Sequence, residues 1–346
     1  MTTLKARLSG KITFLLLIPV LLCGPRTAFG GEADSPGPNI QLRGGFHNSL
    51  YRFEKEKKGH VAFIGGSITA MNGYRPMLRG FLQKRFPETK FTFTNAGISS
   101  TCSTSGAFRL QRDVLSRGPV DLFFIEYAVN DDQDAGHARR ECIRGMEGIL
   151  RQTRSHNPMA DIVITHFVNP GMLKTVGKGK EPVSSGAHED VAKHYGVSTI
   201  HLIREVDRLI AAKELTWKKF GGTHPGPHGN RLCADMIEKL LTTSWSMSAA
   251  DKAAKAAHAL PKKPLDPESY GKGRFIDPAT AKIKTGWKNH LPEWKKIGGG
   301  FRNTFAGKKL LCATAPGAEC RLEFTGRAIG TYLLAGPDAG TVEASI

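Results

Sequence analysis

At 346 residues and 40% hydrophobic content, the chain buries a full core and leaves material for a second, smaller unit, so one or two domains are expected. Its formal net charge is +18. An odd count of five cysteines beyond residue 30 (Cys102, Cys142, Cys233, Cys312 and Cys320) excludes a fully paired disulfide framework within one chain.

The N-terminus reads as a leader. Lys5, Arg7 and Lys11 precede an apolar run from Ile12 to Cys23, and Ala28-Phe29-Gly30 forms a small-x-small cleavage site, so residues 1–30 are expected to be a secretory signal. The run is too short for a membrane-spanning helix. Leu21-Leu22-Cys23-Gly24 faintly matches a lipoprotein box, with Leu22 where a small residue is wanted, and leaves a lipid anchor at Cys23 as a lesser reading. Cleavage removes four basic residues and no acids, which leaves +14. Export to a secreted or periplasmic setting disfavours nucleic acid as a partner, and this charge suits an anionic surface or acidic polysaccharide, or simply a solvated lysine-rich face.

Residues 31–48, rich in Pro and Gly, are expected to be a flexible lead-in to an α/β unit over 49–243. His60 to Ile64 is an apolar buried-strand pattern that runs into Gly65-Gly66-Ser67-Ile68-Thr69. Two glycines permit the tight backbone that lifts the Ser67 hydroxyl out at the strand's carboxyl end, although the same pattern also serves a helix-capping turn. Tyr74 to Phe86 is spaced as an amphipathic helix that Pro87 ends, and Phe91 to Thr94 is a second strand emptying into the small-residue loop Asn95 to Ser100. A helix over Gly106 to Leu115 follows. Asp121 to Val129 is a third strand that delivers Asn130-Asp131-Asp132, and a helix from Ala138 to Ser155 leads to a fourth strand over Asp161 to Val168.

The Gly/Lys-rich stretch from Pro170 to Pro182 is expected to be a mobile loop. After it come a helix from His188 to His194, a short strand from Val197 to Ile200, and helices over Leu202 to Lys213 and Pro227 to Leu241. Strands alternating with helices predict an α/β fold with a doubly wound parallel sheet.

Residues 244–273 turn to Ala, Lys and Pro and read as a linker, or as an exposed helix and extended strap. Residues 274–346 carry short β-type runs at Lys309 to Cys312, Arg321 to Phe324, Ile329 to Leu334 and Thr341 to Ile346, an all-β accessory region. The last run stops in mid-strand, so the native chain is expected to continue. Cys312 and Cys320 flank a Gly/Pro turn and are placed for a hairpin disulfide in an oxidising compartment. No C-x-x-C pair or His/Cys cluster suggests zinc, and neither metal nor cofactor is expected.

Ser67, the loop Gly97 to Ser100, Asn130 and His224 (in Gly221-Gly222-Thr223-His224-Pro225) each lie at a predicted strand end or on a late loop. With these residues in this order, the stretch from about 58 to 242 resembles the SGNH (GDSL-type) hydrolase family, whose sheet is flavodoxin-like. The resemblance implies a serine esterase with Ser67 as nucleophile and His224 as general base and acid. It also implies an oxyanion hole from the backbone N–H groups of Ser67 and Ser100 and the side-chain amide of Asn130. The C-terminal runs are similar to the start of β-sandwich modules appended to some secreted members.

Two family features are missing. The glycine that members commonly use as oxyanion donor in the second block aligns with Ser100, whose backbone N–H keeps the role available. The Asp usually found three residues before the histidine is Gly221 here, so a backbone carbonyl orients His224 in a Ser-His dyad, or Asp131 or Asp132 supplies the carboxylate from a strand end. If only that carboxylate is lacking, Gly221→Asp is expected to raise kcat. His228 is a competing base. The expected activity is removal of O-acyl, chiefly O-acetyl, groups from a polysaccharide. A lipid or small-ester acylhydrolase, and a carbohydrate-binding protein on a degenerate esterase scaffold, are the alternatives.

Overall fold

The protein is described by a computed structural model over residues 36–249, 254–299, 303–334 and 339–346. The expected leader with Cys23, and residues 335–338, lie outside the described residues. In chain order the α/β unit runs β1 (Ile40–Gln41), α1 (His47–Glu54), β2 (Lys58–Gly65), α2 (Ser67–Ala70), α3 (Tyr74–Arg85), β3 (Lys90–Gly97), α4 (Ser103–Asp113), β4 (Leu122–Glu126), α5 (Ala128–Gln133) and α6 (Arg139–His156). It continues through β5 (Asp161–Thr165), α7 (Pro170–Val176), α8 (Val183–Tyr195), β6 (Ser198–Ile200), α9 (Leu202–Ala211), α10 (Trp217–Phe220) and α11 (Pro227–Ala249).

The six strands lie in the order β1-β6-β5-β4-β2-β3. All neighbours run parallel except β1 and β6. Without β1 this is the flavodoxin-like order, and the chain reverses direction across the sheet between β3 and β4, so a crevice opens at the carboxyl ends of β2 and β4. Period-two alternation divides each strand between the two faces. Val61, Phe63 and Phe124 pack under α1, α3 and α11, whereas Ala62, Ile64, Phe123 and Ile125 pack under α4 and α6. Phe63 stacks on Phe124 with ring centroids 4.9 Å apart, which keeps β2 and β4 in register just below the crevice.

Three segments differ from the sequence expectation. In the lead-in, Ile40 and Gln41 pair with Ile200 and Thr199, because Ile40 is buried at the sheet edge; two residues are too few to show a periodicity. The stretch expected to be a mobile loop begins with helix α7, since Asn169 Oδ1 accepts the Met172 N–H at 2.8 Å, Pro170 starts the turn and Met172 is buried. In the stretch expected to be a linker, residues 244–249 continue helix α11 and residues 254–273 run on as an extended strap held to the α/β unit. His258 donates its backbone N–H to Pro158, the N–H groups of Leu265 and Asp266 bind the Glu147 carboxylate, and the Tyr270 hydroxyl donates to Glu141.

Beyond the strap, β7 (Lys282–Thr285) pairs with β10 (Glu319–Arg321) and β8 (Trp287–His290) with β9 (Leu310–Ala313). The runs at Ile329–Leu334 and Thr341–Ile346 form no strand among the described residues. Cys312 and Cys320 are free thiols rather than a hairpin disulfide; β9 and β10 do not pair as a hairpin but belong to different two-stranded sheets.

Candidate active site

Strand β2 ends in Gly65, and Ser67 opens the single-turn helix α2, held by Ala70 N–H to Gly66 C=O and Met71 N–H to Ser67 C=O, each 3.0 Å. The Arg75 guanidinium closes the far end of this turn by donating to the carbonyls of Thr69, Ala70 and Met71. Ser67 is half-buried and stands at the crevice between β2 and β4. His224 Nε2 lies 2.7 Å from Ser67 Oγ. That bond joins residues 157 positions apart in the chain, the separation across which the sequence placed them.

The histidine loop is shaped by its backbone. Gly221 ends α10 at φ +105°, and Gly226 N–H returns to Phe220 C=O at 3.0 Å. A Cβ at Gly221 would lie 2.0 Å from the Gly226 nitrogen, so the position expected from the family to carry Asp has no room for one. Asn230 on α11 donates to the Pro225 carbonyl at 2.6 Å and fixes the loop's far side. His228 is exposed at the start of α11, and it is His224 that reaches the serine.

Neither carboxylate suggested for orienting His224 does so. Asp131 is buried and accepts the N–H and hydroxyl of Ser103 at 2.7 and 2.6 Å, with His188 Nε2 at 2.9 Å. Burial opposes its charge, but the bonds from His137, His188 and Ser103 outweigh burial and hold its carboxyl well below the usual range. It thereby pins the start of α5 to α4 and α8. Asp132 accepts the Asn169 amide at 2.8 Å. Among the described residues, His224 Nδ1 has no carboxylate partner.

Asn130 sits on α5 at the end of β4, buried, and its amide N–H donates to Asp134 at 2.5 Å. The amide has a second N–H, which is free to point elsewhere. Its Oδ1 makes no hydrogen bond and rests against Gly66, where a Cβ would come within 1.9 Å of it. Ser100 is exposed on the loop after β3 with φ +56°, a left-handed conformation unusual for a residue with a Cβ.

Three supporting residues were not singled out from the sequence. Glu126, the last residue of β4, is fully buried beside the serine turn, where it accepts the Thr69 hydroxyl at 3.1 Å and the Gly66 N–H. Burial pushes its carboxyl up to about 7, against those two hydrogen bonds. Arg109, fully buried on α4, donates to the carbonyls of Ala96 at 2.6 Å and Gly65 at 3.2 Å and to the Tyr127 hydroxyl at 2.7 Å, tying the ends of β2, β3 and β4 together. Asp134 holds the Asn130 amide. A charged residue inside an apolar strand or on an apolar helix face was the available signal for Glu126 and Arg109. Cys102, near Asn130, is no rival nucleophile, because burial and then the charges of Asp131 and Asp134 push its thiol up to about 12.

Comparison with known proteins adds the family. The model of the GDSL-like lipase/acylhydrolase family matches residues 63–232. A two-domain esterase active on acetylated mannans, crystallised with mannopentaose, superposes with a TM-score of 0.64 at 21% identity, covering 82% of this chain and 73% of that one. The acetylxylan esterase Axe2 from Geobacillus stearothermophilus gives a TM-score of 0.41 at 17% identity over 53% of this chain and 94% of its own. No curated protein matches in sequence. The matched residues contain both Ser67 and His224, and residues 63–232 thus form a GDSL-like lipase/acylhydrolase (SGNH) domain, that of a carboxylic ester hydrolase.

Proposed function

We propose that the protein is a serine esterase that removes acetyl groups from a polysaccharide. The observation that carries this reading is the 2.7 Å contact between Ser67 Oγ and His224 Nε2 at the carboxyl ends of the parallel strands. Ser67 attacks the ester carbonyl while His224 takes its proton. The oxyanion is met by the backbone N–H groups of Ser67 and Ser100 and by the second amide N–H of Asn130. Collapse of the tetrahedral intermediate releases the sugar hydroxyl, which takes the proton from His224 and leaves acetyl-Ser67. Water, deprotonated by the same imidazole, then frees acetate and restores the serine.

The pair acts as a dyad in this scheme, its imidazole held by the Gly221–Gly226 loop rather than by a carboxylate. Polysaccharide as the alcohol is favoured by the shared fold of the two-domain esterase active on acetylated mannans. A leader over residues 1–30 would deliver the enzyme to such a substrate outside the cytoplasm. No helix of the described residues is long and apolar enough to cross a membrane.

The lack of a carboxylate at His224 favours one second reading, a carbohydrate-binding protein on an esterase scaffold. Acetate release from acetylated mannan, measured beside hydrolysis of p-nitrophenyl acetate and p-nitrophenyl palmitate, separates the possibilities. Wild type is expected to release acetate from the mannan and Ser67→Ala to release none. Equal rates for the two proteins refute the esterase reading, and a preference for palmitate moves the substrate to lipid.

A further inference from the structure

Away from Ser67, the carboxyl ends of β5 and β6 carry His166 and His201, and α8 brings Glu189 to both of them. All three are more than nine-tenths buried, at 0%, 2% and 6% exposure. Glu189 Oε2 lies 3.5 Å from His166 Nε2 and 3.2 Å from His201 Nε2, and one donor atom from each residue falls within 4.8 Å of the others. These approaches are not hydrogen bonds: Glu189 Oε2, both ring nitrogens of His166 and His201 Nδ1 are left without a hydrogen-bond partner. Orphaned buried polar atoms are costly, and two of them, Glu189 Oε2 and His166 Nε2, face each other beside His201 Nε2 and call for an occupant.

We propose that His166, His201 and Glu189 form a zinc-binding site. A tetrahedral zinc ion with bonds of about 2.0–2.1 Å has ligand-to-ligand edges of about 3.3–3.4 Å, the spacing at which Oε2 meets the two imidazoles. Two imidazoles and one carboxylate suit zinc, whereas calcium and magnesium need six or more oxygens. The Thr199 hydroxyl, 3.3 Å from His201 Nε2, or a water takes the fourth position. Arg43 donates to the other carboxylate oxygen, Oε1, at 2.5 Å, which turns Oε2 toward the histidines and keeps Glu189 monodentate.

The ion would tie α8 to β5, β6 and the segment after β1, at the edge where the sheet has its one antiparallel strand. It stands apart from the serine, since β5 is two strands from β2, about 10 Å at the ~4.8 Å spacing of neighbouring strands. The proposal is independent of ester hydrolysis. Its role is structural.

The test uses the full chain, stripped with a chelator and titrated with Zn²⁺ against a chromophoric competitor. One equivalent is expected to bind to wild type and to Ser67→Ala alike, with affinity at least ~10-fold weaker in His201→Gln and Glu189→Gln. Absence of stoichiometric binding to wild type, or equal affinity in the folded variants, overturns the site. Should either variant fail to fold, Co²⁺ is added to wild type: intense visible bands of a tetrahedral ion support the site, and weak octahedral bands or none overturn it.

Discussion

Replacing Glu126 by Gln tests the most unusual group beside the serine turn. The carboxyl is fully buried, and burial raises it to about 7 from an ordinary 4.5, with the Thr69 and Gly66 hydrogen bonds pulling the other way. Below the unfolded value the acid is protonated in both states, and its contribution to stability is fully present. As pH rises toward about 7 the unfolded chain releases the proton while the folded chain keeps it, so stability falls; above that pH both are ionised and the loss is constant. At ~1.4 kcal/mol per pH unit, the loss across the window is about 3 kcal/mol.

Gln is neutral throughout and keeps an acceptor for Thr69. Urea unfolding of both proteins at about pH 4.5 and about pH 8 therefore isolates the effect, because His137, raised by Asp131, and His166, lowered to about 4 by burial, titrate alike in the two proteins and cancel in the difference. Glu126→Gln is expected to gain about 3 kcal/mol on wild type between the two pH values. A difference that does not change with pH would refute the reasoning, since it would mean that Glu126 is ionised in the folded protein at both.

Gly66→Ala places a Cβ 1.9 Å from Asn130 Oδ1 and must displace that amide; kcat on p-nitrophenyl acetate is expected to fall by about 10²–10³ with little change in KM, and an unchanged kcat would remove Asn130 from the oxyanion hole. Gly221→Asp, which the family pattern alone suggests should help, is expected instead to lower Tm without raising kcat, because φ is +105° and the Cβ meets the Gly226 nitrogen at 2.0 Å. A higher kcat at an unchanged Tm would show that the loop accommodates a carboxylate after all.

Much of the architecture was legible in the chain. The apolar run of β2 ending in two glycines, and the alternation of strands and helices, determine a parallel sheet with a serine at a strand's carboxyl end, because burial on both faces demands continuous apolar strands and a tight turn demands glycine. The order Ser67, Asn130, His224 identified the family without any structure. Residue type alone could not say which carboxylate serves which partner. Asp131 and Asp132 follow Asn130 directly, yet the first turns inward to Ser103 and His188 and the second to Asn169, partners that come from α4, α8 and the end of β5. Glu126 beneath the serine and the His166–Glu189–His201 cluster belong to the same class, assembled from elements far apart in sequence. Only the packing of those elements brings the charges and ring nitrogens within a few ångströms, where burial and neighbouring groups decide what each can do.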